Sequence, residues 1–166
     1  MDPPLVLVQF VHVAGGAAWF GGSLFANLVL LPFVGQQAPE RQRELIRGIV
    51  LGPERVMIAA ALTAAVTGMV RGIAFGPIRS LGALATPYGV IWLASVLVAL
   101  AVFATGARLT SPAARALRDD DRVWMVGSPA SAAHAARLLS RLRLGFRLEL
   151  LGIAAILALM VLLANV

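Results

Sequence analysis

The sequence predicts an all-α integral membrane protein: a bundle of four transmembrane helices with short amphipathic helices at the membrane surface. Three observations predict it. Hydrophobic residues fill 60% of the 166 positions and charged residues 13%, whereas soluble chains run nearer half and a quarter. Four apolar stretches are each long enough to cross a hydrocarbon core of about 30 Å, which takes roughly 20 helical residues. The arginines flank those stretches instead of alternating with apolar residues. One domain, residues 1–166, is expected, because four spans and their loops use up the chain.

The first span runs from about Leu5 to Leu31 and is ended by Pro32. Met1-Asp2-Pro3-Pro4 has no basic region, and the apolar run after it is too long for a signal peptide. It is expected to stay as a helix. The second span begins near Pro53, a favourable first-turn residue, and reaches Phe75 before Gly76-Pro77. The third covers about Pro87 to Arg108 and the fourth about Leu144 to Val166. Between them, Pro39 to Gly48 reads as a short helix at the membrane edge. Ser111-Pro112 opens another, which Asp119-Asp120-Asp121 breaks. Ser128-Pro129 caps a basic stretch from Ala130 to Arg143. There Arg137, Arg141 and His134 lie opposite Leu138, Leu139 and Leu142, a pattern suited to the head-group plane.

Composition excludes several chemistries. The chain has no cysteine, so disulfides, zinc–thiolate sites and thiol catalysis are ruled out. All fourteen basic residues are arginine, so lysine Schiff-base chemistry is ruled out too. The net charge of +6 fits anionic lipid head groups better than nucleic acid, since the arginines border the spans. The loop after the first span carries Arg41, Arg43, Arg47 and Arg55. The loop after the third carries Arg108, Arg115, Arg118, Arg122, Arg137, Arg141 and Arg143; the loop after the second has only Arg71 and Arg79. The positive-inside rule then places the first and third loops in the cytoplasm of a cell whose inner (plasma) membrane holds the protein, with both termini outside.

Helices in lipid associate through small residues, because lipid tails are as apolar as leucine. Two ladders at four-residue spacing are expected to pack: Ala14, Ala18, Gly22 and Ala26, and Ala60, Ala64, Gly68 and Gly72. Beside the second runs a polar stripe of Thr63, Thr67 and Arg71. Arg71 either snorkels to the interface or faces the bundle, and its place on the threonine stripe favours the bundle. Met69 points away from that stripe and is expected to face lipid. Trp92 and Tyr88, and Trp124 in the third loop, read as aromatic-belt anchors. Arg55 and Glu149 are placed to pair at the cytoplasmic end, with proton relay as the alternative role for Glu149.

His12 is the most informative residue. It lies roughly 10 Å into the first span by the helical rise, and an ionisable side chain at that depth usually faces inward and has a partner. Gly15, Gly16 and Trp19 follow on the same side. One imidazole, two gaps and one indole form a stripe suited to a flat cofactor, with His12 as metal ligand. The competing reading is a histidine hydrogen-bonded to a neighbouring helix. His134, the other histidine, falls on the opposite side in the expected topology, so two-histidine haem ligation within one chain is not expected.

His12-x6-Trp19-x-Gly21-Gly22, followed by an apolar run to Pro32, resembles the first helix of copper resistance protein D-like membrane proteins. Thr67-Gly68 late in the second helix, and Thr86-Pro87-Tyr88-Gly89 opening the third, are similar to their pattern. The resemblance covers about residues 8–108. A related four-helix group, the bacterial membrane protoporphyrinogen oxidase, binds haem b through a first-helix histidine, and the resemblance implies that role for His12. Such relatives commonly carry a lysine in the third helix; the stretch here is Ile91-Trp92-Leu93-Ala94-Ser95, which leaves the oxidase activity without its lysine.

The expected function is therefore haem b, or less readily copper, held through His12, with Arg71 as a partner for an anionic group such as a haem propionate. Catalytic residues are not legible. The alternative is a non-catalytic accessory subunit of a larger respiratory or photosynthetic complex, with other membrane subunits or further copies of itself as partners. A transporter is less supported, because Thr63, Thr67, Arg71 and Asn27 make a sparse polar path.

Overall fold

The computed structural model describes residues 2–50, 52–125 and 128–166, and all regular structure among them is helical. Helix α1 is Pro3–Gly35, α2 covers residues 39–50, α3 is Glu54–Phe75, α4 is Pro87–Asp119 and α5 is Pro129–Leu163. Short 3₁₀ turns occupy Leu81–Ala85 and Asp121–Trp124. Helices α1, α3, α4 and α5 are long and apolar enough to cross a membrane. The all-α architecture with four such helices is as expected.

Local chemistry explains most helix starts. Pro39 opens α2, where its missing N–H costs nothing. The Thr86 hydroxyl accepts from the Gly89 amide at 3.1 Å, so Thr86-Pro87 works as a side-chain cap followed by a first-turn proline. Ser80 and Asp120 open the two 3₁₀ turns by accepting from the amides of Ala83 and Arg122.

Two helix ends lie beyond their expected positions. The first span does not stop at Pro32, and the third does not stop near Arg108: α1 continues to Gly35 and α4 to Asp119. In each, a π-helical segment precedes the proline, Ala26–Leu30 before Pro32 and Gly106–Thr110 before Pro112. The Leu31 amide bonds the Ala26 carbonyl and the Ser111 amide bonds that of Gly106, five residues back in both cases. A proline ring collides with the carbonyl four residues earlier. One extra residue in that turn moves the carbonyl aside and lets the helix continue. The basic stretch Ala130 to Arg143 and the fourth span likewise form one helix, α5, with no break near Leu144. The second span begins at Glu54, one residue after Pro53.

Contacts divide the chain into two compact units, each drawing on all four long helices. The first holds the chain through Gly21, Val56–Ala101 and Leu151–Val166; the second holds Gly22–Arg55 and Val102–Leu150. The second unit contains a dense core in which Ile46, Leu117 and Leu142 are 0% exposed, joined by Leu31, Val34, Leu45 and Leu138. The amphipathic segments thus turn their apolar faces into protein, while His134, Arg137 and Arg141 stay exposed. Ion pairs trim this unit: Arg43 and Arg47 both reach Asp121, and Arg118 bridges Asp119 and Glu54. The first unit buries far less. Leu7, Phe10, Val56 and Leu97 all point outward, as suits helices solvated by hydrocarbon.

Candidate functional site

In the first unit, α1 meets α3 at Gly15. A Cβ there would lie 3.1 Å from the Ala60 carbonyl oxygen and 3.2 Å from the Ala64 nitrogen, so the two backbones touch with no side chain between them. This approach brings His12, one turn earlier on α1, within reach of the α3 main chain. Its Nδ1 donates to the Ala64 carbonyl oxygen at 2.8 Å. A carbonyl only accepts, so the proton sits on Nδ1, and in a neutral ring the lone pair sits on Nε2.

Thr67 completes the arrangement. Its hydroxyl gives its proton to the Thr63 carbonyl at 2.5 Å, and its oxygen lies 3.2 Å from His12 Nδ1 as a second acceptor. Thr67→Val should cost about 0.6 kcal/mol of stability in detergent unfolding, the usual worth of one intramembrane hydrogen bond, since the Ala64 contact remains. Gly68 makes room for the ring: a Cβ there would lie 2.9 Å from His12 Cε1. The imidazole is thus seated over a glycine notch and oriented by a backbone carbonyl.

The other residues of the predicted stripe divide. Gly15 is not a gap, because α3 fills the space beside it, whereas nothing lies within 4 Å of a side chain begun at Gly16. Trp19 is buried at 8% exposure. Arg71 opens the π-helical segment Arg71–Phe75, is partly buried, and takes part in no salt bridge among the described residues. One polar atom was missed by the sequence reading: the side-chain oxygen of Gln9, one turn before His12, is buried without a hydrogen-bond partner. A glutamine inside an apolar span was the available signal.

Packing differs from expectation at several points. The α3 ladder is used: Gly15 sits on Ala60 and Ala64, the imidazole on Gly68, and the Trp92 indole in the notch at Gly72. The first half of the α1 ladder is not, since Ala14 and Ala18 are exposed and the buried register is Gly15, Trp19 and Ser23, whereas Gly22 and Ala26 are partly buried. Trp92 is therefore a wedge between helices. Trp124 is tied back through its indole N–H to the Leu117 carbonyl at 2.9 Å. Met69 is exposed, as expected.

In the second unit, Glu149 does not pair with Arg55. It takes a hydrogen bond from the Thr110 hydroxyl instead, while Arg55 is exposed. Nearby, the Asn27 amide donates to the Ser23 and Phe146 carbonyls at 2.9 and 3.0 Å. The same unit holds a cavity of about 880 Å³ lined in part by Arg43, Arg47, Trp124 and Leu139, and by no residue of the predicted site.

Donor chemistry limits what His12 can hold. No group of three or more His, Asp or Glu side chains gathers among the described residues, so a bare copper or zinc ion would not find the three or four protein ligands that such ions take. A haem iron brings four porphyrin nitrogens and needs only an axial imidazole. An imidazole oriented by the Ala64 carbonyl fits such a group. Neither a protein-family model, nor a curated protein, nor a solved structure matches this chain.

Proposed function

We propose that this chain is a multi-pass plasma-membrane protein that holds haem b through Nε2 of His12. One observation carries the reading: Nδ1 of His12 is committed to the Ala64 carbonyl, and Nε2 is left as the basic nitrogen. Metal-ligating histidines are oriented in this way, the second nitrogen donating to a carbonyl or carboxylate. The open flank at Gly16, one turn after His12, leaves room for a flat ring. Arg71 is the partner for a propionate. Copper alone has weaker support, because no group of three or more ligating side chains gathers among the described residues.

When bound, haem supplies one-electron redox chemistry at its iron. The chain's own part is to fix the imidazole tautomer through Ala64 and Thr67, to seat the ring over Gly68, and to balance anionic charge with Arg71. The arginine-rich first and third loops face the cytoplasm and its anionic head groups in this reading, with both termini outside.

The test is an absorption spectrum of the purified protein, taken after expression with adequate haem supply. A Soret band is expected in the parent chain and is lost in His12→Ala. Colourless protein that also fails to take up added haem would reduce His12 to an interhelical hydrogen bond.

A further inference from the structure

Glu149 is the one carboxylate of α5, and it stands where the haem reading has no use for it. Its side chain is partly buried within the second unit, beside Gly106 of α4, where a Cβ would lie 3.5 Å from Glu149 Oε1. The Thr110 hydroxyl meets the same oxygen. Thr110 is itself held in place: it is buried, it lies in the π-helical segment before Pro112, and it fills the notch left by Gly145, about one turn along α5 from Glu149.

Among the described residues no salt bridge includes Glu149. The charged neighbours along the chain turn elsewhere: Arg147 and Arg108 are exposed, and Arg143 lies against Gly35. On α1 the nearby polar group, Asn27, has given both amide protons to the Ser23 and Phe146 carbonyls and has none for Glu149. An ionised carboxylate offers about four acceptor sites and here meets one donor. Within an apolar span, an ion so poorly matched is costly, and the group takes up a proton instead. A metal ion is a poor alternative, since hard cations need six or more oxygens and no cluster of ligating side chains gathers here.

We propose that Glu149 is a proton-binding site, a carboxyl that is reversibly protonated inside the helix span with Thr110 as its fixed partner. A hydroxyl both donates and accepts. Thr110 therefore donates to the carboxylate and accepts from the acid, and the contact survives gain or loss of the proton. This site is independent of His12 and of any haem, and its failure leaves the haem reading untouched.

The test uses the full chain in phosphatidylcholine vesicles with dicyclohexylcarbodiimide, an apolar reagent that adds to protonated carboxyls, followed by peptide mass mapping. At neutral pH, Glu149 is expected to be modified while the exposed Glu40 and Glu44 are spared. Labelling should fall about tenfold for each pH unit once the carboxyl ionises, and Glu149→Gln should abolish it. Glu149 labelled no more than Glu40 and Glu44 would overturn the proposal. If the glutamine variant fails to fold, infrared spectra of the parent chain decide: a protonated-carboxyl band that titrates reversibly supports the site, and its absence at neutral pH removes it.

Discussion

Gly68→Ala is expected to destabilise the protein by about 1–2 kcal/mol, and to stabilise it once His12 has been replaced by alanine. The reasoning follows from one contact. A Cβ at Gly68 would come within 2.9 Å of His12 Cε1, closer than such atoms approach, so the imidazole must leave its seat. Moving it strains the 2.8 Å bond to Ala64 and the contact with Thr67. Against this, alanine gains about 1 kcal/mol over glycine in helix propensity. With His12→Ala the ring is gone and only that gain remains. A double-mutant cycle in detergent, by reversible unfolding, should give a coupling of about 1–3 kcal/mol. Equal effects of Gly68→Ala in both backgrounds would mean that the ring does not lie over Gly68.

The second large effect contrasts neighbouring glycines. Gly15→Leu should cost about 3 kcal/mol or more, whereas Gly16→Leu should be near neutral or stabilising by up to about 1 kcal/mol. At Gly15 the obstacles are the Ala60 carbonyl and the Ala64 amide, and backbone cannot rotate aside as a side chain can. The helices must separate, which also draws His12 away from Ala64. At Gly16 a new side chain enters open space. Thermal unfolding of the two variants in one detergent would compare them directly. Similar losses at both positions would contradict this packing of α1 on α3.

The candidate site was partly legible. His12 stood out because an imidazole inside an apolar span needs a reason, and Thr67 and Gly68 already lay on stripes of α3. Register was less legible. The alanines at positions 14 and 18 match the small-residue pattern as well as Gly15 does, but glycine permits backbone contact and they turn outward. Periodicity repeats every three to four residues and cannot choose between adjacent faces when both are small and apolar.

Other features depended on partners distant in sequence. Thr110 and Glu149 are 39 residues apart, and nothing local marks them as a pair. The expected Arg55–Glu149 pair relied on matching charge and depth, whereas the fold offers Glu149 a hydroxyl. Prolines mislead similarly. Pro32 and Pro112 normally end helices, yet each follows a π-helical segment that removes the clash, and such a segment has no residue signature of its own.

Composition and hydropathy determined by themselves that the chain holds four helices apolar and long enough to span a bilayer, though not where those helices end. That is a property of each segment against its solvent and needs no neighbour. Tertiary structure alone decided which nitrogen of His12 carries the proton, which glycine receives the ring, and what faces Glu149. Those outcomes depend on distances of a few ångströms between helices, and only the packed chain sets them.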